Sequence, residues 1–382
     1  MHFRVGVIGA TGFIATPYRR EMREARDEAT IVALCARRRD RLEAAAREDG
    51  AEFITDDWRE VVEHPGVSFV VIATPDALHY EPAMACARHG KHVLCEKPVG
   101  MNTRQAWEIW TACRDAGLGH FVPYWSRYVP VFERARSVIE AGTLGEPRAF
   151  VWRWHNARPA AIPFTWRDNA GLSAAGSIAD LGSHAYDAVR WMTGLQARRV
   201  LTHAGVVSGP KPDAGEPTLA EALEWAGTQR VPAVAGRRTG TAFDYAGILV
   251  EFEGGAVGVM TVSHAPFLRA GLAADLEIHG TEASLALDRT LGTLRLVRPG
   301  DSPPHTETVS GTGFGNRFAR YVFPAVRERA AGLPSEHPGL EDGWRVQLFV
   351  DAAATSARCG GWTALEGIGS PGPDATCREE RP

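Results

Sequence analysis

The stretch "GVIGATGFIA", residues 6–15, decides the fold. It continues the apolar run "FRVGVIG" and leads into an amphipathic stretch from Phe13 to about Ala29, so it reads as the turn between a first strand and a first helix. A dinucleotide fingerprint at that place is G-x-G-x-x-G, whose glycines permit a tight turn and close approach of backbone to a pyrophosphate. Here the spacing is Gly9-x-x-Gly12-x-x-Ala15, one residue longer in its first step and with alanine in the helix-packing position. Amides at a helix N-terminus still point at an anion in such a turn. An ordinary βα connection is the alternative, and placement directly after the first strand weighs against it. Gly9, Thr11, Gly12, Phe13 and Ile14 are the candidate phosphate contacts.

Outward from this turn, residues 1 to about 120 alternate strand-like and helix-like pieces. "TIVALCA" (30–36), "AEFIT" (51–55), "VSFVVIATP" (67–75), "KHVLCEKP" (91–98) and "LGHFVPYW" (118–125) are apolar runs. Between them lie "RRDRLEAAARED" (38–49), "DALHYEPAMACARHG" (76–90) and "NTRQAWEIWTACRDAG" (102–117), helical pieces closed by Gly50, Gly90 and Gly117. Apolar runs joined by helices are strands covered on both faces, which predicts a doubly wound parallel α/β domain over 1–122.

After about residue 123 the rhythm changes. "PVFERARSVIEAG" (130–142) is helical, "PRAFVWRWHNA" (147–157) alternates like a strand, and a further helix covers about 176–194. Residues 205–240, rich in Gly, Pro and Ala, read as a long loop. "DYAGILVEFEGGAVGVMTVSHA" (244–265) holds a hairpin turning at Gly254-Gly255, and "AADLEIHGTEASLALD" (273–288) a second strand pair. A helix follows near "EDGWRVQLFVDAAATSA" (341–357). Consecutive strands with short turns predict a second α+β domain over 123–365 with an open, mostly antiparallel sheet. Residues 366–382 have no core-forming pattern and read as a disordered tail.

The 382 residues suffice for two domains with sizeable cores. A formal charge of −4 gives no electrostatic footprint for nucleic acid, and the run Arg37-Arg38-Arg39 is too local to make one. The opening residues read as a strand and lack the long apolar stretch of a signal peptide, and no later segment reaches the roughly 18 apolar residues of a membrane span. The six cysteines, at 35, 86, 95, 113, 359 and 377, include no Cys-x-x-Cys pair, so neither a disulfide framework nor a zinc site is expected. A cytoplasmic protein with reduced thiols and no metal is the expectation.

Cofactor choice is read about 25 residues beyond the glycine turn, where an acid accepts the ribose 2′-hydroxyl of NAD or an arginine accommodates the 2′-phosphate of NADP. The sequence there is Cys35-Ala36-Arg37-Arg38, without a carboxylate and with two guanidiniums. This favours NADP(H), with NAD(H) as the alternative; a solvated basic helix start is the rival reading of the arginines.

Two further stretches carry chemistry. "HVLCEKPVG" (92–100) ends a buried strand on Glu96-Lys97-Pro98, an unusual corner. In "GSIADLGSHAYDAVRWMTG" (176–194), Asp180, His184 and Asp187 stand at i, i+4 and i+7, so a regular helix would put them on one side. A histidine one turn from a carboxylate is a candidate base, while a helix cap with a polar face is the alternative.

Taken in order, the glycine turn, "ATPDALH" (73–79), "GKHVLCEKP" (90–98), "GSIADLGSHAYD" (176–187) and "ILVEFEGGAVG" (248–258) resemble the glucose–fructose oxidoreductase/inositol dehydrogenase (Gfo/Idh/MocA) family over nearly the whole chain to about residue 365. The resemblance implies a Rossmann domain followed by an α/β domain whose open sheet makes oligomer contacts, in a homodimer or homotetramer. It implies that Lys97 projects toward nicotinamide and substrate, facing Asp180 and His184, and that these three are catalytic. Thr74, Pro75, His79, Glu96, Lys97, Trp166 and Arg167 become cofactor contacts beside Arg37 and Arg38. Lys97, Asp180 and His184, with Trp125 and Arg127 of "VPYWSRY", become substrate contacts. The longer glycine turn, "SAAGS" in place of a glycine run, and Trp125 where smaller residues are common are departures. The implied activity is hydride transfer between NAD(P) and a secondary hydroxyl or ketone of a sugar, polyol or related cyclic compound. The alternatives are a lyase or glycosidase without net redox that retains its dinucleotide, and a non-catalytic NADP-binding regulator.

Overall fold

A computed structural model describes residues 1–365 except 216, 229, 231–233, 235, 302 and 312. The tail expected to be disordered, 366–382, lies outside the described residues. Six strands form one parallel sheet in the order 3-2-1-4-5-6: β1 (Phe3–Ile8), β2 (Ala29–Cys35), β3 (Phe53–Thr55), β4 (Phe69–Ile72), β5 (His92–Cys95) and β6 (His120–Phe121). Helices α1 (Ala15–Glu24), α2 (Arg39–Asp49), α3 (Trp58–Glu63), α4 (Tyr80–Arg88) and α5 (Thr103–Asp115) connect them. All four residues of β4 are buried, as an unalternated apolar run requires of a strand covered on both faces. Strand order reverses between β1 and β4, which opens a crevice at their carboxyl ends. Helix α1 is shorter than its amphipathic pattern, since Ala25 leaves helical geometry and Ala29 already begins β2.

The second sheet has nine strands in the order 16-15-14-13-7-12-11-8-17. They are β7 (Pro147–His155), β8 (Ala197–Gly205), β11 (Tyr245–Phe252), β12 (Val257–Ser263), β13 (Leu276–Gly280), β14 (Ser284–Asp288), β15 (Thr293–Val297), β16 (His305–Thr308) and β17 (Thr363–Ala364), while β9 (Lys211–Pro212) and β10 (Arg237–Arg238) make a separate ribbon. Only β7 and β12 run parallel to each other among the described strands of this sheet. The β11–β12 hairpin turns at Gly254 and Gly255, whose φ values of 77° and 86° suit glycine. Helices α6 (Pro130–Glu140), α7 (Ser183–Thr193) and α10 (Leu340–Cys359) cover one face. On the other face Leu201, Leu249, Val259 and Val151 stand in register across four strands, with Leu249 and Val259 about two-fifths exposed.

Three helices escaped the sequence reading, the six-residue α3 among them. The supposed loop at 205–240 contains α8 (Leu219–Thr228), whose small buried face, Ala222 and Ala226 against Ile162, gives little periodic signal. Helix α9 (Phe323–Ala330) returns to the first sheet, where Phe323 stacks on Phe3 at 4.9 Å. Cysteines 35, 86, 95 and 113 are free and buried, but Cys359 is disulfide-bonded, contrary to the expectation of reduced thiols throughout. No helix among the described residues is long and apolar enough to cross a membrane.

Candidate active site

The glycine turn has the shape an anion needs. Gly9 sits at φ 82°, and a Cβ there would lie 2.6 Å from the Ala73 carbonyl oxygen. The Gly12 amide donates to Gly9 O at 2.9 Å, whereas the amides of Thr11, Phe13 and Ile14 have no partner among the described residues. Helix α1 begins directly after them without an acid in its first turn, so its positive end is unopposed. These residues fit a dinucleotide pyrophosphate.

At the end of β5 the corner is braced from behind. Glu96 is buried and accepts a hydrogen bond from Tyr18 OH of α1 at 2.6 Å. Burial raises the Glu96 pKa, against the opposing pull of Lys97. His79 is fully buried, with Nδ1 2.7 Å from Pro98 O and Nε2 2.9 Å from Thr74 O. Glu96 and His79 were expected to touch the cofactor; with these atoms engaged inward, their place is as braces of the corner and of the Thr74-Pro75 loop. Thr74 donates its hydroxyl to Leu78 O at 3.1 Å, and Pro75 opens the short turn Asp76–Leu78.

Lys97 reaches across the crevice. Its Nζ donates to Asp180 Oδ1 at 2.7 Å and to the Asp180 carbonyl at 2.9 Å. Asp180 lies in a π-helical turn, Ile178–Gly182, that leads into α7, and such turns concentrate at functional sites. The turn is entered through Gly176, at φ 56°, where a Cβ would collide with Phe243 O at 2.0 Å. Burial alone would raise the Asp180 pKa, but Lys97, Arg167 and His264 outweigh it and hold the carboxylate well below its ordinary value. Its Oδ2 lies 2.9 Å from His264 Nε2, 3.5 Å from Arg167 Nε and 3.7 Å from Arg158 Nη2.

His184 stands one turn on. Its ring stacks on Trp154 at 5.7 Å and meets Tyr124 edge-on at 6.0 Å. Burial, reinforced by the Lys97 charge, pushes its pKa down to about 3, so the imidazole is neutral at physiological pH. Nδ1 is buried without a hydrogen-bond partner; aromatic packing, not a carboxylate, orients this ring.

Asp187 does not join that group. It is fully buried and takes a two-pronged ion pair from Arg127, at 2.9 and 2.6 Å, while Arg127 also bonds Asp342. The π turn shifts the phase of Asp180 relative to α7, which carries both His184 and Asp187. Arg127 is thereby corrected as a substrate contact, since its guanidinium is consumed inside the second domain. Trp125 is partly buried: its indole donates to Tyr18 OH at 2.9 Å, and its ring packs on Tyr18, Phe121, Tyr128 and Phe314. No hydrogen bond or ring contact joins it to Asp180 or His184 among the described residues.

Trp166 and Arg167 occupy a short turn closed by Thr165 and Asp168, and Arg167 lies over the Trp166 ring at 4.2 Å. At the far end of the crevice Arg37 and Arg38 are exposed after β2, but Arg38 Nη1 donates to Glu221 Oε1 of α8 at 2.9 Å, and Arg41 pairs with the same oxygen. Arg158, His264 and Glu221 were not singled out from the sequence. Nothing local in the sequence points to the first two, which follow "VWRWH" and "VMTVS", strands whose carboxyl ends face Asp180 only once β7 and β12 pair in parallel.

Comparison with known proteins bears on both domains. Residues 3–124 match the oxidoreductase family model described as an NAD-binding Rossmann fold, and residues 132–286 match the GFO/IDH/MocA C-terminal domain. Levoglucosan dehydrogenase of Pseudarthrobacter phenanthrenivorans is 27% identical over 352 residues, covering 85% of this chain and 86% of that protein. An oxidoreductase domain protein from Kribbella flavida superposes with a TM-score of 0.81 at 25% identity, over 96% of this chain and 100% of that one. A levoglucosan dehydrogenase in complex with NADH and L-sorbose superposes at 0.80 with 23% identity, over 97% and 100%, a likeness of fold.

Proposed function

We propose, from the premise that this chain belongs to the GFO/IDH/MocA family of oxidoreductases, that it interconverts a secondary hydroxyl and a ketone of a sugar, polyol or related cyclic compound with NAD(P). The observation that carries the chemistry is Lys97 Nζ, held 2.7 Å from Asp180 Oδ1 at the carboxyl end of β5, beside a neutral His184. When bound, the nicotinamide supplies the hydride acceptor or donor; everything else falls to side chains.

Lys97 donates a hydrogen bond to the reacting oxygen and stabilises negative charge as it develops there. Neutral His184 takes the hydroxyl proton during oxidation and returns it during reduction. Asp180 holds the ammonium of Lys97 in place until substrate arrives and then orients a substrate hydroxyl. His264, Arg158 and Arg167 keep that carboxylate ionised and fixed, so it does not take the proton itself. Gly9, Thr11, Gly12, Phe13 and Ile14 would hold the pyrophosphate. Thr74, Pro75, Trp166 and Arg167 would line the cofactor between its two ends.

NADP(H) is the favoured cofactor because Ala36 stands where an acid would take the ribose hydroxyl and Arg37-Arg38 follow. Assembly is through the open face carrying Leu249 and Val259, since an uncovered apolar sheet needs a partner. The product is a homodimer or homotetramer, and light scattering that gave a monomer mass would refute it. We read the chain as a cytoplasmic protein that acts on a small carbohydrate-like molecule, without nucleic acid or membrane as a partner.

The experiment is a panel of sugars, inositols and their keto forms assayed with NADPH and NADH. Absorbance change with at least one cyclic polyol is expected. Turnover of a sugar with no net change in nicotinamide absorbance would contradict the dehydrogenase reading.

A further inference from the structure

We propose that Glu221 sets cofactor selectivity from across the crevice, as a carboxylate that competes with a ribose 2′-phosphate for Arg38 and Arg41; this rests on the reading that the residues after β2 receive the adenosine ribose. The position that usually carries the discriminating side chain is empty of charge here, because Ala36 is buried. The charge arrives instead from 183 residues away. Glu221 Oε1 accepts from both guanidiniums, and Oε2 accepts from the amide and hydroxyl of Thr218, each at 2.8 Å. Both oxygens are thus engaged, and the Glu221 side chain is only 12% exposed while that of Arg38 is 47% exposed. Thr218 caps α8 and aims the carboxylate, and Ala222 and Ala226 seat the helix on Ile162. Glu221 is therefore held in place before any nucleotide binds.

The consequence differs between the two nucleotides. A ribose 2′-hydroxyl is neutral and can lie beside the carboxylate or donate to it. A 2′-phosphate brings about −1.5 to −2 charges and needs those guanidiniums for itself. It must displace Glu221 from Arg38 and Arg41 or accept a like charge at close range. Glu221 thus penalises NADPH selectively, and the arginines alone would overstate the preference.

The test is nucleotide affinity, measured by fluorescence titration on wild type, Glu221→Gln, Glu221→Ala, Arg38→Ala/Arg41→Ala and the combined variants, each with a thermal melt. Both Glu221 variants should bind NADPH about three- to fivefold more tightly, roughly the worth of one such ion pair, with NADH within twofold. The gain should vanish when Arg38 and Arg41 are absent. Unchanged NADPH affinity in folded Glu221→Gln, with Arg38→Ala/Arg41→Ala still erasing the NADPH preference, would overturn the role of Glu221 alone. Loss of NADH affinity in both Glu221 variants, with NADPH unmoved, would overturn it in favour of a ribose-hydroxyl acceptor. An unaltered NADPH-to-NADH ratio in Arg38→Ala/Arg41→Ala would remove the 2′-phosphate site itself, and both readings would fall.

Discussion

The two ends of the crevice are built on opposite principles. At the reacting end, Lys97, Asp180 and His184 sit among buried braces: Tyr18 holds Glu96, His79 ties Thr74 to Pro98, and Trp154 and Tyr124 fix the imidazole. At the nucleotide end the arginines are exposed, and their partner comes from a short helix seated on a three-residue core. Low dielectric at the first end makes each charge effective and each misplacement expensive. Solvent at the second screens the charges, which leaves selectivity there adjustable in small steps.

The largest effects belong to the reacting end. Lys97→Ala removes a preorganised donor and should lower turnover by about a hundred- to a thousandfold. His184→Ala removes proton transfer worth about a hundred- to ten-thousandfold. Both proteins should bind nucleotide and melt near wild type, because the phosphates lie at the glycine turn. Next comes Arg127→Ala, which leaves Asp187 buried without its partner and should destabilise the fold by about 3–5 kcal/mol. Chemical denaturation reads this, and a loss under 1 kcal/mol would return Arg127 to the list of surface or substrate residues.

A third effect is pH-dependent. In an unfolded chain His184 is charged below about pH 6.5, but here burial and Lys97 hold it neutral down to about 3. The folded state then binds fewer protons, so stability present above pH 6.5 is lost as pH falls toward 3. Burial and Arg158 hold His264 to about 4, and it acts in the same direction. Melting temperatures should drop between pH 7 and pH 4, and by less in His184→Gln; an equal drop would show that the ring is not buried. The smallest effect lies at the nucleotide end, where Arg37→Ala/Arg38→Ala should cost about tenfold in NADPH affinity and little in NADH affinity, by calorimetry.

The same contrast explains what the sequence could reveal. Lys97 and Asp180 were legible through the family resemblance of the motifs that hold them, a strand corner and a helix entry, and the doubly wound order follows from unalternated apolar runs. Arg127 lies in the short turn Trp125–Tyr128, where no periodicity shows that its guanidinium pairs with the buried Asp187 and with Asp342. Arg158 and His264 come from strand ends that meet only once β7 and β12 pair in parallel. Glu221 was hidden in a stretch whose alanines bury too little to look helical. Contacts made by long-range pairing leave no periodic trace.

The central claim is that Lys97 and His184 act on one oxygen in one event. The most direct measurement is turnover of Lys97→Ala, His184→Ala and the double variant on the same polyol, beside melts that show all three folded. The double variant should lose clearly less than the product of the single losses, since groups that serve one step are not additive. Losses that multiply, or near-normal turnover in folded Lys97→Ala, would contradict it.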